Sequence, residues 1–139
     1  MSFAAVGSLA PAGTTLRLSI HVLAATIWVG GQLTVAGLLP TLRKLGEGAP
    51  KAVARAFAQL QWPAFFVLIL TGIWSVSAAG HQSSAWSAVL GAKVAIVVIA
   101  GVAVIAHTRS KTKSGVAIYG ALSAVCSIVA VILGVALAG

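Results

Sequence analysis

The residues able to do chemistry in this chain are few, and two of them lie inside apolar runs where a polar group must have a reason to be. His21 stands in SIHVLAA and Lys93 in GAKVAIV. A neutral imidazole can ligate a metal or haem iron, or move a proton near neutral pH. A lone histidine near a helix end also serves simply as a hydrogen-bonding group at the interface. An ammonium in hydrocarbon must snorkel to the head groups or meet a partner, such as an anionic group that it holds. His81 sits in the polar stretch GHQSSAW, and His107 at the end of an apolar run, beside Thr108 and Arg109. For these two, ordinary loop, head-group or capping roles compete with ligation.

What is missing narrows the chemistry further. The only acid is Glu47, outside every apolar run, so a carboxylate relay for protons or sodium is not available. Met1 is the single methionine, which argues against a Met-lined path for cuprous ions. Cys126 is the single cysteine and lies in an apolar run, so no intrachain disulfide forms and a small buried hydrophobe is expected. There is no Cys-x-x-Cys, phosphate loop or hydrolase motif. A bound metal must therefore rest on the histidines.

The element that must position His21 is RLSIHVLAATIWVGGQLTVAGLLPTLRK, from Arg17 to Lys44. Some twenty apolar residues between its basic ends suffice to cross a hydrocarbon core of roughly 30 Å as a helix. At about 100° per residue, Arg17, His21, Ala25, Trp28 and Gln32 share one stripe roughly 80° wide, with the leucines mostly elsewhere. Such a stripe is expected to face a helix bundle, because polar groups facing lipid cost several kcal/mol.

Four apolar runs are present, at about 16–39, 54–78, 85–107 and 115–138, in a chain of 139 residues that is 60% apolar and 7% charged. The fold class expected is all-α: a single-domain, polytopic four-helix membrane bundle over 1–139. Nine Lys and Arg against one acid give +8. The charges flank apolar runs, which points to topology and anionic lipid, with no nucleic-acid partner. Arg43, Lys44, Lys51 and Arg55 fall between the first two runs and Arg109, Lys111 and Lys113 between the last two. By the positive-inside rule both basic loops are cytoplasmic and both termini are outside. MSFAAVGSLAPAGTT lacks a basic n-region and reads as a short outer tail.

Counting inward from the outer ends places His21, Lys93 and Thr71 in one layer, within roughly 5 to 10 Å of the interface, with His81 above it. Gln32, Gln59, Trp62 and His107 fall in the inner half. Gln59, Trp62 and Phe66 share a face, and Pro63 is expected to loosen the helix there. Trp74 and Trp86 suit the outer aromatic belt, whereas Trp28 and Trp62 lie deeper and need partners for their indole N–H groups. His21 and His107 fall roughly 20 to 25 Å apart along the normal, too far for one haem to bridge. Gly120, Ser123, Ser127, Ala130 and Gly134 form a small-xxx-small stripe on the fourth run, read as packing.

The ordered set His21-x6-Trp28-x-Gly30-Gly31, Phe57-Ala58-x-Leu60, Thr71-Gly72, Leu90-Gly91-x-Lys93 and His107 resembles the four-helix domain of the copper-resistance protein D family. The resemblance covers essentially the whole chain. The layout is also similar to that of the HemJ-type protoporphyrinogen oxidases, haem-binding four-helix proteins. There a first-helix His and a third-helix Lys are the functional pair, positions held here by His21 and Lys93. The resemblance implies a bacterial-type inner-membrane protein that binds or transports copper or haem b. Two further roles stay open: a HemJ-like haem-dependent oxidoreductase, and an accessory subunit of a larger membrane complex or a homo-oligomer. In each, Thr71, Trp28, Gln32 and Gln59 are expected to support the polar pocket, and His81 and His107 are lesser candidate ligands.

Overall fold

In a computed structural model, which describes residues 9–138, the chain forms four helices, all long and apolar enough to cross a membrane: Ala12–Lys44 (α1), Ala49–Ala78 (α2), Ser84–Arg109 (α3) and Lys113–Ala138 (α4). This is the all-α four-helix bundle of a multi-pass membrane protein. The expected outer tail lies partly outside the described residues.

The helices outrun their apolar segments, chiefly at the end where the α1–α2 and α3–α4 turns lie. Pro40 stays within α1, which continues to Arg43 and Lys44. Those two cations suit the negative end of the helix dipole. A proline at the start of α2 costs no hydrogen bond, since that N–H has no helical acceptor. Pro63 leaves α2 continuous. The turns use Gly46 at φ 129° and Gly80 at φ 65°, values that side-chain-bearing residues avoid. Ser83 caps α3 by accepting the Trp86 N–H at 3.1 Å. All Lys and Arg except Arg17 and Lys93 gather at the end holding the two basic turns, hereafter the basic end. The other is the termini end.

The core is inverted relative to a soluble bundle. Most of its buried residues are small or polar, among them Ala24, Ala64, Ala100, Ala103, Thr71, Ser123 and Ser127, while Phe66, Leu70, Ile118, Ile132 and Val135 point outward. Lipid is as apolar as leucine, so burying large aliphatic side chains gains little there, and close backbone approach with internal hydrogen bonds sets the packing.

The chain is arranged as two hairpins, α1 with α2 and α3 with α4, of which α3–α4 is the tighter. They meet at a waist. Thr26–Gly30 of α1 is a π-turn, and this is the stretch of α1 that approaches α4. Trp28 lies at its centre, 3% exposed, with the Phe65 ring at 4.5 Å and Trp62 edge-on at 6.2 Å. Two glycines admit aromatic rings. The Phe57 ring occupies the space a Cβ on Gly31 would need, and Phe65 Cζ lies 2.9 Å from where a Cβ on Gly101 would stand.

Candidate functional site

Two hydrogen bonds set the register of α1 against α4. The Trp28 indole N–H donates to Ser127 Oγ at 2.8 Å, and Ser123 Oγ lies 3.2 Å from Gln32 Oε1 and 3.2 Å from the Ala100 carbonyl. A step of four residues along α1, from Gln32 to Trp28, is matched by a step of four along α4 in the opposite direction. Continuing seven residues further takes Trp28 to His21 and Ser127 to Gly134. Seven residues are about two turns, so both steps climb to a similar height, roughly 10 Å nearer the termini end.

At that level stand the groups that lie within the spans at the termini end. His21 Nδ1 is 2.7 Å from Thr71 Oγ1, and the same hydroxyl is 2.7 Å from the Val67 carbonyl one turn back. A hydroxyl has one proton. A threonine in a helix gives it to the preceding turn, so Thr71 Oγ1 accepts from His21 Nδ1–H. That fixes the tautomer and leaves the Nε2 lone pair free. Thr71 is 5% exposed, which makes it a rigid anchor for the ring.

Lys93 reaches the same level from α3. Its Nζ lies 2.8 Å from where a Cβ on Gly134 would stand, so the absence of a side chain on α4 makes room for the ammonium. Arg17, one turn above His21 on the same face, has a buried Nε with no hydrogen-bond partner among the described residues. The only Asp or Glu side chain, Glu47, is in the α1–α2 turn, so no acidic side chain among the described residues meets these cations.

The remaining expected site residues divide. Trp28 and Gln32 sit at the waist, linked to Ser127 and Ser123, and Gln32 Nε2 is buried without a partner among the described residues. His81 is exposed in the α2–α3 turn beside Gly80. His107 is at the basic end, where its Nδ1–H donates to the Val116 carbonyl at 2.7 Å and its ring packs on Gly120. It closes the α3–α4 hairpin, far from His21.

Gln59 is a correction. It is exposed, as is Phe66 on the same face, and Gln61 is the buried glutamine of α2. Gln61, Ala64, Leu68 and Thr71 recur at helical spacing and form the inward side. Phasing α2 on its aromatic residues fails because aromatic rings are as welcome in lipid as in the core. Phasing on its small and hydroxyl residues would have worked.

The small-residue stripe of α4 is a second correction. Besides packing closely, it supplies Ser123 and Ser127 as partners for α1 and Gly134 as the opening for Lys93. The signal was present in the matched spacing of Trp28 and Gln32 with the two serines.

No family model, curated protein or solved structure matches this chain.

Proposed function

We propose that the protein is a membrane-embedded haem-binding module whose site is the His21, Thr71 and Lys93 layer at the termini end, the outer side by the charge rule. The observation that carries the reading is the His21–Thr71 hydrogen bond, which presents Nε2 as a single fixed nitrogen donor inside a spanning segment. Metal-ligating histidines characteristically donate the other ring nitrogen in this way.

The donor set favours haem over copper, the two ligands that the resemblance to the copper-resistance protein D family suggests. Among the described residues no three His, Cys, Asp or Glu side chains gather into a metal-binding group. A bare copper ion would find one imidazole here. A haem brings four nitrogens of its own and asks the protein for axial ligation and for neutralisation of two propionates. His21 answers the first need, and Lys93 with the orphaned Arg17 Nε answers the second. When bound, haem would supply electron transfer or a cargo to be passed on. The chain's own part is to hold the imidazole in one tautomer, pair the carboxylates and exclude water.

The test is a visible spectrum of the detergent-purified protein, as isolated and after equimolar haem. A Soret band that His21→Ala abolishes and His107→Ala retains is expected. Stoichiometric copper without that band would replace this reading with a copper-binding one. Absence of both, with a stable larger assembly on purification, would favour the accessory-subunit role.

A further inference from the structure

At the opposite end of the bundle a second feature is independent of the histidine layer. Arg43, Ser110, Lys111, Thr112, Lys113 and Val116 line one cleft between the end of α1 and the α3–α4 turn. Arg43 reaches it because α1 runs past Pro40. The turn is held at several points. The Gly115 N–H donates to Thr112 Oγ1 at 3.1 Å and the Val116 N–H to the Thr112 carbonyl at 3.0 Å, while His107 ties the Val116 carbonyl to α3. Gly115 lets the hydroxyls close in, since Ser110 Oγ and Thr112 Oγ1 crowd the space its side chain would fill.

We infer that this cleft binds the phosphate of an anionic phospholipid in the leaflet at the basic end. Three cations converge on a pinned turn that adds two hydroxyls, and no acid lines the cleft. Phosphate oxygens are the acceptors this donor set fits. A lipid, in preference to free phosphate, is indicated by what borders the cleft. Val116, which lines the cleft, and Tyr119, one turn further along α4 on the same side, are both exposed, an apolar flank along which an acyl chain can lie. His107 thereby acquires a role as a brace for the turn.

The inference is tested on the full chain in detergent by native mass spectrometry, titrating phosphatidylglycerol and, separately, phosphatidylcholine. Two variants of equal charge are compared: Arg43→Gln with Lys111→Gln and Lys113→Gln in the cleft, and Lys44→Gln with Lys51→Gln and Arg55→Gln outside it. Each basic residue near anionic lipid is worth roughly a factor of five, so the cleft variant should bind the first phosphatidylglycerol at least roughly tenfold more weakly, with the control near the unmodified chain. Five of the six positions lie in a turn or in the first or last turn of a helix and Arg55 in the second turn of α2, and circular dichroism verifies that both variants keep their helices. An equal loss in both variants, or equal binding of phosphatidylcholine, would overturn the site. Displacement of the lipid by millimolar inorganic phosphate would overturn the lipid assignment.

Discussion

His21 and His107 make the same bond from the same atom, Nδ1–H to an oxygen at 2.7 Å, at opposite ends of the bundle. At the basic end the acceptor is a turn carbonyl, the neighbouring cations are in the head-group region, and the histidine completes a hairpin. At the termini end the acceptor is a buried hydroxyl already committed to its own helix, and the neighbouring cations lie within the spans. The lesson is that a histidine's role is set by the cost of its surroundings. Cations at a membrane surface are paired by water and lipid head groups at little cost. Two cations beside an oriented imidazole in a spanning segment require a ligand or a path to water.

Five substitutions break or sharpen this contrast. The largest effect is expected for Thr71→Val, which removes the acceptor that orients His21 while conserving shape. Haem affinity should fall roughly 10- to 100-fold in a spectroscopic titration, the usual scale for such supporting groups, and an unchanged affinity would place the tautomer argument in error. Next comes Gly101→Ala, where the new methyl meets Phe65 within the aromatic waist that joins the two ends. Overpacking there should cost about 1–3 kcal/mol in reversible unfolding from detergent micelles. Ser127→Ala leaves the buried Trp28 N–H without its partner, and about 0.6–1.7 kcal/mol is expected in the same assay, with blue-shifted or quenched tryptophan emission as a second readout. The smallest effect is Gln59→Ala, within about 0.5 kcal/mol of the parent because the side chain is exposed. Gln61→Ala should exceed it.

Much of the fold was legible because it follows from one rule, that a backbone in hydrocarbon must satisfy itself within a helix. Four apolar runs sufficed for four helices, and counting turns from the outer ends placed His21 and Thr71 at one height, where they bond. What the residues did not disclose was rotation. Trp62 and Phe66 invited an inward reading of their face, yet Phe66 is 60% exposed, because in lipid an apolar side chain carries no information about which way it points. Polar and small residues carry that information. Gln61, Thr71, Ser123 and Ser127 mark the interior. The helix ends at the basic side were read short because Pro40 and the charges after it look like a stop, although arginine and lysine fit a final turn well. The π-turn has no strong signature in TIWVG, and its position was not foreseeable from residue types.

That π-turn has a consequence for the way the first helix is built. A five-residue turn among turns of about 3.6 gives one residue more than the α-helical count requires, shifting the angular phase of everything beyond it. Thr26–Gly30 lies between His21 and Gln32, so the two halves of α1 are aimed separately. Winding those five residues as plain α-helix, with none removed, would turn the His21 half by about 100° about its axis, swinging the imidazole away from Thr71 while the lower half kept its grip on α4. The extra residue serves as a vernier: the wider turn, with no charge and no contact of its own at the site, sets where the histidine is aimed.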